Sequence, residues 1–159
     1  FGSRAGRSAP RAPPPAMEGG GAPAAEVTGV AVEPAGACPA GDPLRLRVAF
    51  VVAAAELEGA AWCARYVTDL VHERRAVELP VDGPERGNFA SGAQCSDILL
   101  PGGIPTDGVP ARALDNLGLL ELTLRDAAGR ELAGVRMVTD VRPSGDAGQL
   151  VRSVLDPFR

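Results

Sequence analysis

Three stretches of this chain alternate apolar and polar side chains with a period of two, and that pattern limits the fold more than any other feature. In LRLRVAFV, Leu44, Leu46, Val48 and Phe50 fall on one side and Arg45 and Arg47 on the other. In AWCARYV, Trp62, Ala64 and Tyr66 oppose Cys63, Arg65 and Val67. In LGLLELTLRD, Leu120, Leu122 and Leu124 alternate with Glu121, Thr123 and Arg125. Successive side chains of a strand point to opposite faces, so each stretch reads as a half-buried β-strand. No segment carries a helical period long enough to cross between parallel strands, which excludes an α/β fold.

The rest of the chain fits the same class. EVTGVAVE is a first strand, and the segment after it is broken by Pro34, Gly36, Pro39, Gly41 and Pro43 into a turn-rich linker. RRAVELPV is a short strand ended by Pro80, followed by a polar loop from Asp82 to Asn88 and a strand from Gln94 to Leu100. PGGIPTDGVPARALDN is a Gly/Pro-rich connection with one helical turn expected at Ala111 to Asp115. A turn at Ala127-Ala128-Gly129 then joins LGLLELTLRD to RELAGVRMVTDV as a hairpin. Leu150, Val151, Val154 and Leu155 near the end suit a short helix or a strand docked on the sheet. The expectation is an all-β sandwich of about seven antiparallel strands over residues 26–159. Residues 1–25, rich in Pro, Gly, Ala and Arg, have little to bury and are expected to be a disordered tail. The chain opens at Phe1, and Met17 is a candidate start; a transit peptide, the alternative, sits poorly with PRAPPP.

Composition narrows the function. Aromatic residues make up 4% of the chain, so Val, Leu and Ala must build its core. All 16 basic residues are arginine, which with the Ala/Gly/Pro richness points to a GC-rich genome. Net charge is −4, and the basic tail hides a more acidic body: Arg4, Arg7 and Arg11 stand in a stretch with no acid, leaving 13 basic residues against 20 acidic ones. An acidic body does not suit nucleic acid, where basic patches supply most of the affinity. It suits a basic partner, and solubility alone is a sufficient reason for it. Cys38, Cys63 and Cys95 are scattered, with no CxxC and a single histidine, so neither a disulfide framework nor a metal site is expected. No apolar run is long enough for a membrane helix. The chain is expected to be an intracellular monomer, nuclear or cytoplasmic.

Catalytic equipment is not evident. His72, the only histidine, sits in VTDLVHERR beside Asp69 and Glu73, with no Gly-x-Ser-x-Gly elbow in the chain. LLPGGIPTDG has paired glycines without the lysine of a phosphate loop. No enzyme activity and no cofactor are expected. What remains is binding through a sheet face or edge. Arg45, Arg47, Arg65, Glu121, Thr123, Arg125 and Arg136 are expected at solvent-facing strand positions.

From Glu26 to Asp140 this organisation resembles the anti-silencing-function histone chaperones. The shared features are Trp62, Tyr66 and Val67 in a Trp-x-x-x-Tyr-Val pattern, the acidic linker Glu56-Leu57-Glu58, and a hairpin built on Gly118, Gly129 and Glu131. The resemblance implies an immunoglobulin-like sandwich and a non-enzymatic protein that binds histone H3–H4 in chromatin assembly. It also implies a partner-binding set: Val67, with Asp69 and Glu73 as acidic candidates, and Glu121 and Arg136 in the hairpin. Glu121 stands where the family has a valine, Gly134 where it has a binding arginine, and its Tyr-Tyr-Val-Asn-Asn reads Met137-Val138-Thr139-Asp140-Val141. The alternative is a structural subunit of a cytoskeletal or ciliary assembly, docking through a sheet edge and the C-terminal segment.

Overall fold

The computed structural model describes residues 23–68, 74–83, 86–110, 113, 117–145 and 148–159. Their strands, in chain order, are β1 (Ala25–Glu33), β2 (Cys38–Pro39), β3 (Leu44–Thr68), β4 (Arg75–Leu79), β5 (Gly87–Leu100), β6 (Gly118–Arg125), β7 (Glu131–Ser144) and β8 (Gln149–Val154). Every pairing is antiparallel, and the architecture is an all-β sandwich.

One strand belongs to both layers. Residues 44–52 of β3 lie between β1 and β5 in the smaller sheet. Residues 61–68 of the same strand lie between β4 and β6 in the larger sheet, which continues through β7 and β8 to β2. The turn from one layer to the other is made inside the strand, where its pairing with β5 slips at Val52/Glu56 and again at Leu57/Ala60. Extra residues on one strand of a pair bend it and raise its twist, which is how a strand turns a sandwich corner. Gly59, at φ 58, supplies the left-handed residue at the second slip.

This continuity corrects the reading of LRLRVAFV and AWCARYV as separate strands joined by an acidic linker: Glu56-Leu57-Glu58 lies within β3, and Leu57 is buried. Two smaller corrections follow the same logic. β5 begins at Gly87 rather than Gln94 because the bent middle of β3 keeps offering it backbone partners. The expected linker after β1 contains β2, since Cys38 and Pro39 pair with Arg152 and Val151 of β8. The terminal segment is a strand, and β6 and β7 form the expected hairpin. Of the helical turn expected at Ala111 to Asp115, only Ala113 lies among the described residues.

The alternating apolar residues meet between the layers. Leu44, Leu46, Val48 and Phe50 from β3 face Leu120, Leu122 and Leu124 of β6 and Met137 of β7 in one buried cluster. Burying such side chains contributes roughly 1.5–3 kcal/mol each, and this term outweighs the weak propensity preferences along the chain. At one end of the sandwich the Arg152 side chain is buried as well, and its Nη2 donates to the carbonyls of Asp42 (2.9 Å) and Pro43 (3.2 Å). Burial pulls its pKa down, opposed by Cys38 and Asp42 nearby.

Candidate functional site

The outer face of the larger sheet carries one row of charged residues across four strands. Glu78 of β4 stands opposite Arg65 of β3, Arg65 opposite Glu121 of β6, and Glu121 opposite Arg136 of β7. Directly opposed residues on one face have their Cβ atoms within about 5.5 Å, so the strand register sets these side chains side by side.

Glu121 is the centre of the row. Arg65 Nε donates to its Oε2, Arg136 Nε lies 3.1 Å from its Oε1, and Arg74 Nη2 lies 3.9 Å from the same oxygen. The three guanidinium groups roof the carboxylate, which keeps 3% of its side-chain exposure, whereas Arg136 keeps 72% and Arg74 keeps 62%. Oε1 has close charges and no aligned hydrogen bond. Arg65 is raised above its ordinary pKa, first by its hydrogen bond to Glu121 and then by the charge of that carboxylate. Three cations share this carboxylate, and Glu78 and Glu131 also act on Arg65, so the face carries both signs of charge.

Beside the row runs an open groove of about 510 Å³, bordered by Arg125, Thr123, Gly134, Arg136 and, from the C-terminal segment, Pro157 and Phe158. That segment is tied to β7 where Leu155 N donates to Val138 O at 2.9 Å. Phe158 remains 48% exposed. Among the described residues, neither the groove nor the roof shows a nucleophile and base in contact.

The expected partner-binding residues are only partly brought together. Glu121 and Arg136 are neighbours, as an exposed patch would need, yet Glu121 is buried beneath arginines and offers no carboxylate to solvent. Its expected solvent-facing position is therefore corrected. Val67 is also fully buried, opposite Ala76 and Leu119, so it is not open to a partner. Asp69, Glu73 and His72 lie outside the described residues. Alternation gives Arg65 only a solvent-facing strand position; its cross-strand register with Glu121 makes it the residue that anchors the cluster. Arg74 had no signal in the sequence, because only the pairing of β4 with β3 brings it to Glu121.

All three cysteines are free, Cys38 and Cys63 half-buried and Cys95 exposed. No group of three metal-ligating side chains occurs among the described residues, and no helix among them is long and apolar enough to cross a membrane. No known family model matches the chain, and no curated protein matches it.

Proposed function

We propose that this chain is a non-enzymatic protein-interaction module that works through the outer face of the larger sheet, as a chaperone of the anti-silencing type for histones H3–H4. The observation that carries the reading is the roof over Glu121. Arg74 and Arg136 lie against a buried carboxylate yet remain mostly exposed, so they are available to acceptors on a partner. Arginine anchors of this kind dominate interface energies, and the adjoining groove with Phe158 gives them an apolar neighbour. The acidic body favours approach of a basic partner. Asp69 and Glu73 are proposed as its acidic contacts.

The test is a pull-down of purified H3–H4 by the full chain at moderate and high salt. Saturable binding is expected, weakened at least about tenfold by Arg74→Glu with Arg136→Glu and by the Asp69→Arg/Glu73→Arg pair. A folded chain that captures no H3–H4 would remove the histone reading.

A second reading has an observation of its own. Leu155 and Phe158 are exposed on the C-terminal segment, at 57% and 48%. A structural subunit docking through that segment and a sheet edge would use them as anchors. Co-sedimentation with a cytoskeletal fraction that is lost on Phe158→Ser favours this reading.

A further inference from the structure

Three of the chain's six aromatic side chains, Phe50, Trp62 and Phe89, meet at a site that shares no residue with the Glu121 row. Trp62 and Phe89 each stand nearly perpendicular to buried Phe50, at 81° and 77°, with ring centroids 5.5 and 5.3 Å from it. Trp62 and Phe89 also line a separate pocket of about 290 Å³, walled further by Val81 and Ile98. Both rings are only half-buried, so the pocket is not simply core. Asp82 and Asp97 line the same pocket and are exposed, which places two carboxylates at its mouth. Asp97 is engaged by Arg47 at 2.9 Å. Asp82 has no ion-pair partner among the described residues.

The chemistry of this enclosure is specific. Its volume is at the small end for ligand pockets, so it suits a compact group rather than a lipid chain. Aromatic faces attract cations through the ring quadrupole, and the carboxylates add charge attraction. An unmethylated ammonium is strongly hydrated and has hydrogen-bond donors that apolar walls cannot satisfy. A methylated one carries the same charge behind an apolar surface. We propose that this pocket binds a small methylated ammonium group such as that of choline. The site shares no residue with the face assigned to the protein partner and goes beyond that reading.

Trp62 is the chain's only tryptophan, so its fluorescence reports the pocket directly. The experiment titrates the full chain with choline and with its neutral carbon isostere, 3,3-dimethyl-1-butanol. Choline is expected to change Trp62 emission saturably with a Kd on the order of millimolar, and the isostere to bind about tenfold more weakly. Asp82→Asn, an exposed and nearly isosteric change that leaves the Asp82–Leu99 backbone bridge in place, is expected to weaken choline severalfold, and Phe89→Leu to abolish the response. Blocked trimethyllysine is run beside choline; tighter binding than choline assigns the group to a protein side chain, and weaker binding assigns it to a free small molecule. Equal binding of choline and the neutral isostere overturns the proposal. So does the absence of a saturable response to both cations from protein with an intact β-sheet spectrum.

Discussion

Arg65 and Glu121 stand directly opposite each other on β3 and β6, and the arginine Nε donates to the carboxylate Oε2 on the outer face of the larger sheet. The pair matters because Glu121 is buried while three guanidinium groups lie against its carboxylate. A carboxylate in that position depends on its cations, and the cations in turn owe their orientation to it.

Glu121→Gln removes the charge that holds three guanidinium groups together. Cutting a fully buried pair costs roughly 3–5 kcal/mol, and the partial exposure of Arg65 lowers the expectation here to about 1–3 kcal/mol. Urea denaturation of Glu121→Gln, Arg65→Gln and the double variant should give a coupling energy well above zero. Additive single losses would show that the roof is a set of independent surface contacts.

Tyr66 makes stability depend on alkaline pH. Its hydroxyl is pushed from 10.0 up to about 12, chiefly by burial and secondarily by the charge of Asp140. Below pH 10 both folded and unfolded chains keep the proton, and the stability is complete. Between 10 and 12 the unfolded chain releases it first, so stability falls as pH rises, by about 2–3 kcal/mol across the window. As the only tyrosine, Tyr66 can be followed by the near-ultraviolet absorbance of its phenolate. Titration near 10 in the folded protein would contradict the burial argument.

Gly103 sets the loop after β5 against the turn before β3. It adopts φ +58, and a Cβ there would stand 2.5 Å from Ala40 O and 2.9 Å from Gly41 C. Backbone atoms cannot yield as the end of a side chain can. Gly103→Ala is expected to destabilise by about 2–4 kcal/mol in thermal unfolding, whereas Gly102→Ala, with open space around it, should be nearly neutral.

Asp126 organises the β6–β7 turn. Its carboxylate accepts from Ala128 N and Arg130 N at 2.9 Å each and pairs with Arg130 Nε at 2.8 Å. These donors hold its pKa below the ordinary carboxylate value, first among them the Arg130 backbone N–H. A lowered folded pKa means that the turn's contribution is present above the unfolded pKa and is lost as pH falls through the folded one. Asp126→Ala should therefore destabilise the protein at neutral pH and flatten its acid dependence. An acid limb unchanged in that variant would assign the dependence to other carboxylates.

The alternating residues determined the class of fold and much of its core. Leu44, Leu46, Val48, Phe50, Leu120, Leu122 and Leu124 are buried as their period requires, because a strand has only two faces and one must leave water. Gly129 and the flanking alternation likewise marked the hairpin through local turn chemistry. Nothing local announced that β3 would serve both layers, since a bulge is set by the partner strand as much as by the residues within it. The same limit applies to the sites. Alternation assigns Glu121 to the solvent-facing side of its strand, but register with β3 and β7 puts it, buried, beneath Arg65 and Arg136. Val67, opposite Ala76 and Leu119, is buried through tertiary packing although its alternation assigns it to the outer face. Sequence determines which side of a strand a residue takes; which charges meet there depends on strand order and register, set by contacts distant in the chain.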